Sequence, residues 1–165
     1  MIKYSLLMCL VLIMPEAARP CEQVPKNKQF EQLKRIHEIL QKHSNKKAVP
    51  PAKLAPAIQR LSLKYGVDPL NVAAIILAES RGVASAHNKR TNDAGLMQIS
   101  HKTATAYKFD TTKLFNWYSN LEYGIIVLSD MRGYPLCTYN IGYRKLPKAC
   151  ARYEAKIAFF KGGTK

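Results

Sequence analysis

The sequence predicts a mainly α, single-domain protein behind an export-type leader. Three observations carry this. The chain has 165 residues, about one ordinary domain. Apolar residues recur at three- and four-residue spacing through several segments. Sustained strand alternation is missing, although residues 87–97 leave room for a small β-hairpin.

Residues 1–18 read as a signal peptide. Lys3 supplies the positive start, Leu6 to Met14 form a short apolar run, Pro15 breaks it, and Ala17-Ala18 follow. The run is short for a permanent membrane span. Glu16 makes the cleavage site imperfect, so an uncleaved tether is the alternative. Export implies a periplasmic location, where disulfides persist. Apart from Cys9, the cysteines are Cys21, Cys137 and Cys150. A bridge between Cys137 and Cys150 would close a short loop, worth about 3 kcal/mol. Cys21 could pair with either or stay free. The four histidines do not fall into ligand spacing with the cysteines, so neither metal nor cofactor is expected.

The net charge is +15. Such a chain is drawn to polyanions. An exported one meets wall polymers and anionic lipid before nucleic acid, and no nucleic-acid partner is expected. Residues 19–55 form a basic N-terminal segment. Phe30, Leu33, Ile36, Ile39 and Leu40 predict an amphipathic helix over 28–43. Ser44 to Pro56 contains three prolines and reads as a linker.

The main domain is expected over 56–165. Ile58, Leu61 and Tyr65 mark a helix that Gly66 ends. Asp68-Pro69 then caps a helix running through Ile75 and Ile76 to Glu79, apolar nearly all round and therefore central and buried. Residues 82–93 form a polar loop, and a short helix follows Ser100. Asn120 is expected to cap a helix that Gly133 stops, and a last helix covers about 150–160.

Glu79 is the candidate catalytic residue. A carboxylate at a helix C-terminus meets the negative end of the helix dipole, and burial against Ile75 and Ile76 disfavours the anion further. A group with a raised pKa can hold a proton near neutrality and donate it to a leaving oxygen. A solvated terminal Glu beside Arg81 would be the plainer interpretation of that residue alone. Two later segments add to it. Gly95-Leu96-Met97-Gln98 offers close backbone approach at Gly95 and an amide at Gln98 suited to sugar hydroxyl and acetamido groups. Tyr139-Asn140-Ile141-Gly142 offers a phenol and a second amide.

Taken in order, Glu79-Ser80, Gly95-Leu96-Met97-Gln98 and Tyr139-Asn140-Ile141-Gly142 resemble the catalytic domain of the soluble lytic transglycosylases, over about residues 56–160. Tyr65-Gly66-Val67-Asp68-Pro69 and the Asn120 to Leu128 stretch match as well. Thr138 and Ile141 depart from the family's alanines. The resemblance implies a lysozyme-like fold and cleavage of peptidoglycan between N-acetylmuramic acid and N-acetylglucosamine, with 1,6-anhydro ends. It implies Glu79 as acid and base, Ser80 and Tyr139 holding and polarising the site, and Gln98, Met97 and Asn140 lining the glycan cleft. It also resembles small exported members that serve secretion, pilus or conjugation machines, with 22–54 as a docking or wall-contact segment. Ordinary glycoside hydrolysis needs two carboxylates. Asp93 is the best second one, so a hydrolytic lysozyme is one alternative. A non-catalytic peptidoglycan-binding assembly protein is the other.

Overall fold

The computed structural model describes residues 25–162. The leader-like segment 1–18, with Cys9, and also Cys21 lie outside the described residues.

The first helix, α1 (Lys26–His43), buries Ile36, Ile39 and Leu40 on one face. It packs on α2 (Pro51–Tyr65) and α3 (Pro69–Glu79). The start of α2 corrects the linker expected through Pro56. Pro50 sits at its N-cap and Pro51 in its first turn, where a missing N–H removes nothing and the fixed φ suits a helix. Pro56 lies inside the helix and forfeits one backbone hydrogen bond. Burial of Leu54, Ala55, Ala57 and Ile58 around it offsets that loss. The short stretch between α1 and α2 is tied down as well. Asn45 N–H donates to the Arg81 carbonyl and Val49 N–H to the Gly82 carbonyl, both at 2.9 Å.

Helix α3 follows the sequence expectation closely. Gly66 ends α2 at φ 66°. Asp68 then caps α3, its carboxylate accepting from Leu70 N–H at 2.9 Å, with Pro69 in the first turn. Every residue from Val72 to Ala78 is buried. Helices α1, α2 and α7 (Pro147–Phe160) surround it, which makes α3 the centre of the core.

The expected hairpin is a three-stranded antiparallel sheet of very short strands. These are β1 (His87–Asn88), β2 (Asp93–Ala94) and β3 (Ile99–Ser100), in spatial order β1-β2-β3. Ala94 pairs with both His87 and Ile99. Ser100 caps α4 (His101–Ala106) by accepting from Thr103 N–H at 3.0 Å. Helix α5 (Trp117–Asp130) is capped by Asn116, which accepts from Tyr118 and Ser119 N–H, and not by Asn120. Asn120 stands one turn inside and is fully buried. Helix α6 (Cys137–Ile141) carries the third motif, and the Cys137–Cys150 disulfide ties it to α7. Helix α7 begins at Pro147, three residues before the expected start, because proline suits the first turn. Among the described residues, no helix is long and apolar enough to cross a membrane.

Candidate active site

Glu79 ends the buried α3 and projects into an open cleft of about 580 Å3. Gln98, Tyr139, Asn140 and Asp93 line the same cleft. On the α7 side Glu79 also faces a smaller hollow of about 260 Å3, with Asn140, Arg152, Tyr153 and Lys156. The carboxyl group thus stands between two open spaces, where a polymer could pass on either side of it.

The electrostatics of Glu79 are a balance. Burial pushes its pKa up, and the nearby Asp93 carboxylate adds to this. Hydrogen bonds from Tyr153 and Asn140 and the Lys156 ammonium act the other way. The burial effect wins, so the proton is held more tightly than by an ordinary glutamate. Tyr153 OH donates to Glu79 Oε1 at 2.7 Å. Lys156 donates to the Ala78 carbonyl, so the negative end of α3 is partly neutralised by a cation.

The motif residues divide into two groups. Gln98, Tyr139 and Asn140 reach the cleft. Ser80, Gly95 and Met97 stand behind it and do not line it. Ser80 Oγ donates to the Leu96 carbonyl at 2.8 Å and accepts from Gly82 N–H at 3.1 Å, stitching the end of α3 to the sheet loop. Met97 is wholly buried against Gly124, where a Cβ would collide with its side chain. Gly95 has φ 81°, and a Cβ there would run into Asn120 and the Leu114 carbonyl. Asn120 explains this close approach. Its amide accepts from Met97 N–H and donates to the Ala94 and Leu114 carbonyls, all within 2.9 Å. One buried side chain therefore shapes the whole Gly95–Met97 segment.

The two phenols near the site have different partners. Tyr139 OH donates to the Met97 carbonyl at 2.9 Å rather than to the carboxylate. Burial and the nearby Glu79 push its pKa well up, so it remains a neutral donor. Tyr153, which sequence reasoning missed, supplies the phenol at Glu79. Its spacing from Ile157 on α7 gives only an ordinary core signal. Gln98 adopts φ 50°, and its Nε2 donates to the Ala86 and Gly95 carbonyls. Backbone held in this region is characteristic of sites that must present a side chain in one orientation.

Three other acids have partners elsewhere. Asp110 caps the turn at Thr111–Lys113. Glu122 accepts from Lys64 and Tyr65, which hold its carboxyl below the usual range. Asp130 bonds Tyr107. Among the described residues, the carboxylates lining the cleft are Glu79 and Asp93.

A half-buried glutamate at the end of a central helix, a small sheet beside it and a cleft between them define a lysozyme-like glycan-cleaving domain. The model of the Transglycosylase SLT domain matches residues 56–158, more than half of the chain, and the chain belongs to this family of peptidoglycan lytic transglycosylases. A search of curated proteins returned no match.

Proposed function

We propose that Glu79 alone supplies acid and base in cutting the β-1,4 bond from N-acetylmuramic acid to N-acetylglucosamine. The observation that carries this is a proton-holding carboxyl in an open cleft, with Tyr153 on one oxygen. Glu79 gives its proton to the bridging oxygen, and the N-acetylglucosamine end leaves with a 4-hydroxyl. The carboxylate then takes the proton from the muramic acid's 6-hydroxyl as that oxygen attacks the anomeric carbon. A 1,6-anhydro ring closes, no water is consumed, and Glu79 returns to its starting state. Tyr153 and Lys156 favour the anion formed midway. Gln98 and Asn140 contact the sugars.

Asp93 favours one rival. It lines the same cleft, as the partner acid of a hydrolase would. Its carboxylate is held by Thr91 in its own strand region. Assays on wall sacculi separate the two. Glu79→Gln lowers the rate by roughly 10²–10⁴-fold, whereas Asp93→Asn retains most of it. Equal loss in both variants would favour hydrolysis.

In this account the chain works in the periplasm, exported through residues 1–18. It opens the wall locally for a secretion, pilus or conjugation apparatus. The support is a small single domain with an export-type start and a net charge of +15. A strain carrying Glu79→Gln should assemble fewer such structures while bulk wall turnover stays normal. Unaltered assembly removes this role.

A further inference from the structure

We propose that the catalytic cleft continues past Gly142 onto an aromatic platform, Tyr143 and Tyr134, that binds additional sugar rings of the glycan strand. This rests on the glycan-cleaving function proposed above. Tyr134 is 57 % exposed and Tyr143 65 %. Their rings meet edge to face, with centroids 5.0 Å apart and planes at 79°. Two large rings held together at the surface, outside the core, are characteristic of ligand-binding grooves.

A groove of about 410 Å3 runs beside them. The Cys137–Cys150 disulfide borders it, and Leu146 and Pro147 make much of its wall apolar. It shares Thr138, Ile141, Gly142, Tyr143 and Arg144 with the cleft around Glu79, so the two hollows adjoin along this segment. Thr138 and Ile141, the two departures from the family's alanines, both belong to this shared wall.

Adjacency selects the occupant. A strand lying in the cleft and leaving along α6 reaches the tyrosines. A sugar ring has an apolar C–H face and a polar rim. A tyrosine ring packs on the first, and its hydroxyl serves the second. Arg144 and Lys145 lie on the groove wall, and among the described residues no carboxylate lines it. The wall therefore also tolerates the anionic substituents that a peptidoglycan strand carries.

The test uses the full chain with Glu79→Gln, which can bind without cutting. It is titrated calorimetrically with N-acetylglucosamine tetramer, hexamer and octamer. Affinity rises with length. Adding Tyr134→Ala or Tyr143→Ala weakens octamer binding by roughly three- to tenfold, while Tyr134→Ala leaves tetramer binding as it was. Tyr143→Phe keeps the gain, since packing needs the ring. Affinity that does not rise with length, or a length gain that survives both alanine variants, overturns the platform. Wall cutting by the unaltered chain is assayed in parallel. Its failure would overturn the proposed function, and the titration would still decide the platform.

Discussion

At Glu79 two opposing demands meet. In the proposed mechanism the group must hold a proton to protonate a leaving oxygen, yet must become an anion midway. Burial serves the first demand, and Tyr153, Asn140 and Lys156 serve the second. Removing the Tyr153 hydroxyl takes a hydrogen bond from the anion alone. Tyr153→Phe is therefore expected to raise the Glu79 pKa further and move the alkaline limb of the kcat/KM profile to higher pH. Loss of orientation should also lower kcat by roughly ten- to hundredfold. A profile unchanged in position would show that Tyr153 only packs. Glu79 also bears on stability. Its folded pKa lies above its unfolded one, so its favourable contribution is present at low pH and is lost as pH rises through the folded value. Glu79→Gln should thus melt above the wild type at neutral pH, and the gap should close in acid. Thermal melts across pH check this. The sequence made Glu79 legible because a carboxylate ends an otherwise apolar helix. Tyr153 was not legible, because its spacing from Ile157 is that of any core aromatic.

The element that depends most on outside support is α6. It has five residues, too few to be stable alone, yet it carries Tyr139 and Asn140. The disulfide and the hydrogen bond from Cys137 N–H to Glu154 Oε1 hold it to α7, which carries Tyr153. Cys137→Ser with Cys150→Ser opens a bridge spanning 13 positions and should cost about 3 kcal/mol. Reductant should reproduce both the lower melting temperature and a fall in wall cutting. Full activity in the reduced chain would mean that packing alone positions α6. Element ends were only partly legible. Asn116 and Asn120 both resemble helix caps, and only the three buried partners of Asn120 tell them apart. Three prolines between Ser44 and Pro56 suggest a linker, yet Pro51 opens a helix and Pro56 is carried inside it by its buried neighbours.

Across the described residues, α1 of the basic N-terminal segment packs into the core. Ile36 and Leu40 of α1 are fully buried, and α1 contacts both α2 and the helix that ends in Glu79. Composition alone shows a charged segment with apolar residues at helical spacing, but not the partner that those residues need. Deleting residues 22–54 is therefore expected to abolish cooperative melting as well as activity. A truncated chain that folds and cuts would contradict this packing. Docking is better probed by reversing exposed charges such as Lys34, which leaves the buried face intact.

The most direct test of single-residue acid–base catalysis is the origin of the oxygen at the new chain end. Peptidoglycan is digested in water enriched in heavy oxygen, with Glu79→Gln alongside, and the products are weighed. Single-residue catalysis predicts 1,6-anhydro ends one water lighter than hydrolysis products, no heavy oxygen in them, and almost no products from the variant. Reducing ends that carry heavy oxygen would contradict it and assign the bond cleavage to water.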